Sequence, residues 1–209
     1  MNIQFDNIFV IFAPGTGGNH LANLLSLDSR YAKRFDPEDY DQVKVNNNSD
    51  AHYATLHHGP ENLNLHHSWI DFDRIKNQKN VFCGHVLEYL QLKNTTNLLD
   101  SLPNKAFVTI QVPLPGSRSH HRMTWRYGPM DNYMLGELSV LYDAKHLQTM
   151  FELPNVFVWH YVWPDELFAD NVLPVIQDIE KELFLSIDHE LAQQLHTKWL
   201  RNLTRNKQI

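Results

Sequence analysis

The densest chemical signal in the chain is the run Pro14-Gly15-Thr16-Gly17-Gly18-Asn19-His20. An apolar stretch, Ile8–Ala13, leads into it, and a helix-compatible stretch, Asn19–Leu27, leaves it. A strand that enters a glycine turn and opens a helix makes an anion site for two reasons. The first amides of the helix have no intrahelical acceptor, and the helix dipole places positive potential on them. Glycines let the backbone curl round an anion without Cβ clashes. Thr16 and Asn19 could add side-chain donors. A plain tight turn with no ligand is the simpler alternative.

A second signal is Asn80-Val81-Phe82-Cys83-Gly84-His85-Val86, a strand pattern ending in Gly-His. If this strand runs parallel to the first, His85 emerges on the same edge as the glycine loop. Histidine changes charge near neutral pH, which suits a base that takes a proton from an attacking hydroxyl. A structural histidine satisfied by backbone groups would look the same in sequence. Glu88 is an alternative base or a surface carboxylate. The third signal is Arg118, Arg122 and Arg126, four apart and so on one helix face, with Ser119, His120 and His121 beside them. Arginine forks suit phosphate or sulfate, although a solvated helix face reads the same way. A turn at Pro115-Gly116 would start that helix near Ser117. Trp125 and Tyr127 are candidates to stack on a base.

What the loop lacks narrows the chemistry. A nucleotide hydrolase places Gly-Lys-Ser/Thr at the end of its loop, and here Asn19-His20 stand in place of the Lys and hydroxyl residue. The strand Ala106–Val112 ends in Pro113, with no Asp to serve a metal. A dinucleotide G-x-G-x-x-G is not present. Metal chemistry has little support: the chain has 13 histidines, but adjacent pairs such as His57-His58 and His66-His67 point apart on a strand, and no H-E-x-x-H occurs.

In these motifs the chain resembles the sulfotransferase family, P-loop-like α/β enzymes that move a sulfuryl group from 3'-phosphoadenosine 5'-phosphosulfate (PAPS) to a hydroxyl or amine. Pro14-Gly15-Thr16-Gly17-Gly18-Asn19 is similar to the family's loop for the 5'-phosphosulfate. Phe82-Cys83-Gly84-His85-Val86 is similar to the Gly-His-Val stretch of 2-O-sulfotransferases. The family's third motif, Arg, then Pro, then Ser at a helix start, is matched at Pro113 and Ser119, with Gln111 in place of the Arg. The loop's usual basic residue is replaced by Gly15. The resemblance spans roughly residues 8–125. It implies PAPS as donor, a small-molecule or glycan hydroxyl as acceptor, and no metal. It further implies that Pro14, Gly15, Thr16, Gly17, Gly18, Asn19 and His20 hold the donor's 5' end. Arg118, Ser119 and Arg122 then hold the 3'-phosphate, and His85 is the base. A nucleotide-binding kinase or hydrolase, and a non-catalytic relative that binds a phosphorylated or sulfated ligand, are the alternatives.

Positioning these residues requires an α/β fold. Four continuous apolar runs, Ile8–Ala13, Val81–Gly84, Ala106–Val112 and Val156–Tyr161, predict strands buried on both faces. Helical patterns cover Asn19–Leu27, Asp131–Phe151, Pro164–Leu183 and Ile187–Thr204. The last has Asp188 as N-cap and a stripe of Leu191, Leu195, Trp199 and Leu203. A short element is expected near Tyr53–Leu56. Trp159, Trp163, Trp199 and the phenylalanines read as core, and Cys83 as a buried, inert thiol. The expected architecture is one domain, residues 1–209, with three layers round a mainly parallel sheet of four or five strands.

Bulk composition agrees. The chain has 209 residues, 43% hydrophobic and 20% charged, enough for a core and too little charge for disorder. A net charge of −6 argues against non-specific nucleic-acid binding. One cysteine excludes an internal disulfide. No signal-peptide pattern or membrane-length apolar run is seen, so a soluble cytoplasmic protein is expected.

Overall fold

The apolar runs become strands because both of their faces meet hydrophobic layers. In β1 (Asn7–Phe12) every residue is buried. Ile8, Val10 and Phe12 enter one cluster, and Phe9 and Ile11 enter the other. β2 (Asn80–Gly84) and β3 (Lys105–Ile110) are buried throughout as well. Strands covered on both sides carry no polar alternation, which is why these runs are continuous. The computed structural model describes residues 5–13, 15–34, 77–86, 89, 98–128, 132–152 and 158–205. Side chains at 98, 99, 125–127, 132, 133, 144 and 205 are not among those described.

With β4 (Val158–Val162), the described strands form a four-stranded sheet in the order β2-β1-β3-β4. All three pairings are parallel. Phe82, Phe9, Phe107 and Trp159 share one row of the register and stack across all four strands, with centroid separations of 4.8, 5.2 and 4.8 Å. This ladder locks the register, because a one-residue slip would turn each ring to the opposite face.

Helices cover both faces. α1 (Gly18–Leu25), α6 (Pro164–Leu167), α7 (Leu173–Leu183) and α8 (His189–Arg205) supply the first cluster. α3 (Arg118–Tyr127), α4 (Asn132–Leu141) and α5 (Ala144–Met150) contribute to the second. A short α2 (Leu98–Ser101) precedes β3. The expected three-layer α/β arrangement is therefore present. No helix among the described residues is long and apolar enough to cross a membrane.

Two expected helices are each divided. The run Asp131–Phe151 breaks at Asp143, whose carboxylate accepts from the amides of Lys145 and His146 and caps a new helix. The run Pro164–Leu183 breaks between Leu167 and Leu173, where Pro174 starts the second piece. The final helix follows expectation: Asp188 accepts from the Leu191 amide at 3.0 Å, and Leu195, Trp199 and Leu203 are buried. Trp163, expected in the core, is 49% exposed because it lies just past the end of an edge strand. Phe184 is also exposed, at the left-handed C-cap of α7. The element expected near Tyr53–Leu56, the histidines 57, 58, 66 and 67, and Glu88 lie outside the described residues.

Candidate functional site

Parallel strands send their C-terminal ends to one edge. Ile11 pairs with Gly84 and Thr109, and Ile110 pairs with Val162. Ala13, His85, Gln111 and Trp163 therefore all emerge on that edge. The chain leaves β1 toward β2 and leaves β3 toward β4, so the crevice opens between β1 and β3. The loops after these two strands are the glycine loop and the segment leading to Ser119.

The glycine loop is a close fit. Gly15 and Gly17 sit at φ +88° and +89°, a region that costs a side-chain-bearing residue about 1–2 kcal/mol. Gly17 is the N-cap of α1 and brings no capping side chain. Gly18 meets a different demand: a Cβ there would fall 2.0 Å from the Phe12 ring. The hydroxyl of Thr16, expected to face a ligand, instead donates to the Ala13 carbonyl at 2.7 Å, and Thr16 is fully buried. Thr16 thus shapes the loop by bracing it internally. Pro14 lies outside the described residues.

Three helices close over the loop. Met123 of α3 would stand 3.2 Å from a Cβ on Gly15. Leu167 of α6 and Trp199 of α8 would stand 3.0 and 3.3 Å from a Cβ on Gly17. This packing corrects the expectation for His20. Its side chain is 0% exposed and stacks on Trp199 with centroids 4.0 Å apart. His196 Nε2 donates to the Ala169 carbonyl at 2.7 Å, so its Nδ1 accepts from His20 Nε2 at 3.0 Å. Burial, then His196 and Arg122, hold the His20 imidazole well below its ordinary pKa. Burial also lowers that of His196. His20 is a neutral side chain that anchors α1 to α8, and its imidazole does not face the crevice.

His85 lies where the sequence places it. It follows β2, is half-buried, and meets the Phe12 ring edge-on at 4.8 Å. Phe12 thus separates His85 from Gly18. Behind it, the Cys83 thiol donates to Asn19 Oδ1 at 3.1 Å and accepts from Arg34 Nη2 at 3.1 Å. Asn19 is tied to β2 by this contact, which fixes the first turn of α1 against the strand carrying His85.

Across the crevice, Leu114–Ser117 form a turn in which the Ser117 amide donates to the Leu114 carbonyl at 3.1 Å. Ser117 caps α3 by accepting from the His120 amide. Ser119 is fully buried, and its hydroxyl donates to Asp165 Oδ1 at 2.8 Å. Arg118 is exposed and donates to the Phe168 carbonyl at 3.0 Å. Arg122 is buried, with Cζ 5.3 Å from the Phe168 ring and 5.6 Å from the Trp199 ring. Arg118 and Arg122 do share a face, which turns toward Phe168. The side chains of Trp125, Arg126 and Tyr127 are outside the described set.

Asp165 takes part in this site without having been singled out for it. Trp199 and His196 belong to the apolar side of α8, where sequence gives no distinction between core and site wall. Asp165 follows a proline at a helix start, where an acidic residue is expected on dipole grounds alone. Among the described residues no cluster of three or more His, Cys, Asp or Glu could hold a metal ion. The chain matches no model of a known protein family and no curated protein.

Proposed function

We propose that the C-terminal edge of the sheet binds a nucleotide 5'-phosphosulfate and passes its sulfuryl group to a hydroxyl acceptor, the reaction of PAPS-dependent sulfotransferases. One observation carries this reading: the parallel topology brings the glycine loop, His85 and the β3–α3 segment to one edge. The amide end of α1, curled by Gly15 and Gly17, is the seat for the 5' anion. Arg122, buried against Trp199, supplies positive charge near a loop that has no basic residue of its own.

The acceptor oxygen attacks sulfur and forms the new S–O bond. Its proton passes to the His85 imidazole. The bond between sulfur and the bridging oxygen breaks, and its electron pair stays on the nucleotide phosphate. Loop amides stabilise the charge that gathers there. The acceptor is a small molecule or a glycan carrying a free hydroxyl.

Calorimetric titration with adenosine 5'-monophosphate, 3'-phosphoadenosine 5'-phosphate, ATP with magnesium, and inorganic phosphate tests the reading. At least one of the first two ligands must bind more tightly than phosphate, or the nucleotide assignment falls. Tighter binding of magnesium–ATP with its turnover would favour a kinase or hydrolase. His85→Ala should then lower sulfuryl transfer by about 100-fold or more, the usual worth of a general base. Unchanged turnover removes His85 from the mechanism. A second reading, binding without transfer, is favoured by Gly15 standing where a loop cation is expected, and nucleotide binding with no turnover would support it.

A further inference from the structure

A carboxylate stands where the crevice passes from β3 into α3. Asp165 belongs to α6, directly after β4, and is exposed, whereas its partner Ser119 is fully buried. Asp165 Oδ1 accepts from the Ser119 hydroxyl at 2.8 Å and from the Ser119 amide at 3.4 Å. The pair lies close to the glycine loop. One turn on from Ser119, Met123 packs against Gly15, and two residues on from Asp165, Leu167 packs against Gly17.

Ser117 and Arg118 beside this point are already engaged, and Arg122, one turn on from Ser119, turns its guanidinium to the Phe168 and Trp199 rings. The Ser117 hydroxyl takes the His120 amide and lies 3.1 Å from Ser119 Oγ. Arg118 donates to the Phe168 carbonyl. Gln111, at the end of β3, carries no charge. A phosphate ester drawn to Ser119 would therefore meet the negative charge of Asp165 at close range. A sugar hydroxyl is the opposite case. It donates to a carboxylate, as ribose does to the acidic residue of dinucleotide-binding folds.

We infer that the donor this crevice takes has free ribose hydroxyls, as in adenosine 5'-phosphosulfate, and that Asp165 discriminates against a 3'-phosphate. The inference rests on the glycine loop holding the 5' anion of a nucleotide. It replaces PAPS as donor by a 5'-phosphosulfate without the 3'-phosphate and leaves the transfer chemistry as described.

The test is calorimetry with adenosine 5'-monophosphate and 3'-phosphoadenosine 5'-phosphate. The wild type should bind the monophosphate about tenfold more tightly, the factor set by one close like-charge contact. Asp165→Asn should close that gap, chiefly by tightening the bisphosphate. Ser119→Ala, which keeps the carboxylate, should preserve the preference and controls for disturbance of α3. Tighter bisphosphate binding by the wild type overturns the inference and leaves the sulfotransferase reading standing. A preference that Asp165→Asn does not change also overturns it. If neither nucleotide outbinds inorganic phosphate, the nucleotide reading itself fails, and this inference fails with it.

Discussion

Two strand-to-helix turns face each other across the crevice, and they are finished in opposite ways. The turn from β1 into α1 is built by leaving atoms out. Its N-cap is Gly17, with no side chain to offer, and the next residue, Gly18, has no Cβ because Phe12 fills that space. The turn from β3 into α3 is finished with acceptors supplied by the chain itself. Ser117 caps the helix, and Asp165 takes the hydroxyl and amide of Ser119. Helix N-termini attract anions in either case. The second already holds one from its own chain, and the first does not hold one from any side chain at its cap. The difference teaches that an N-terminus is a ligand site only where the protein has not supplied the ligand itself.

The largest effect should come from adding atoms to the first turn. Gly18→Val places a branched side chain where even a Cβ would lie 2.0 Å from the Phe12 ring. Overpacking of this kind costs about 3 kcal/mol, which lowers Tm by roughly 10 °C in a chain of this size. Thermal unfolding measures it. A Tm within a degree or two of wild type would mean that Phe12 has room to move, and the tight fit of this turn would be lost as an argument.

The next effect concerns what anchors α1 beneath the loop. His20 and His196 both have pKa values lowered in the fold, by burial first. In the unfolded chain each titrates near 6.5. Between that value and the lower folded values the unfolded state holds more protons, so stability is full above about pH 6.5 and falls as pH drops below it. Each histidine contributes at most about 1.4 kcal/mol per pH unit over the range where only the unfolded chain takes up its proton. Urea midpoints at pH 7.5 and 5.5 should differ in that direction. In the His20→Gln, His196→Gln double variant the difference should shrink. An equal slope in wild type and variant would place the acid sensitivity elsewhere.

Much of this architecture can be read from the chain before any coordinates. Continuous apolar runs locate all four strands within two residues at most of their observed boundaries, because burial on both faces leaves no room for polar alternation. Gly15, Gly17 and Gly18 mark the loop, Asp188 marks a helix start through capping chemistry, and the Pro115-Gly116 turn marks the start near Ser117. His85 follows from its strand being parallel to the first. What the chain does not disclose is which side of a helix meets which neighbour. His20 looks like part of the loop because it is adjacent in sequence, yet position three of α1 faces Trp199 and His196 on a helix 176 residues away. Asp165 is silent for the same reason. Its role depends on α6 lying against α3, a long-range contact that no local pattern encodes. The helix breaks at Asp143 and after Leu167 are missed because apolar spacing continues through both.

The smallest effect tests the second turn, and it is the most discriminating. Ser117 stands at φ −72° and ψ 166° and accepts from the His120 amide. Ser117→Ala removes that acceptor and should cost about 1 kcal/mol, whereas Ser117→Gly should cost only a few tenths, since glycine lets water reach the bare amides. No such pair of substitutions exists at Gly17, where the cap is already glycine. If the two helix starts differ as described, Ser117→Gly weakens α3 slightly and leaves phosphate binding at the glycine loop unchanged, because Asp165 still occupies the exposed end of α3. If instead Ser117→Gly creates a second phosphate site by calorimetry, then α3 was kept from binding anions by its serine cap and not by the carboxylate beside it. That outcome would move the discriminating role from Asp165 to Ser117.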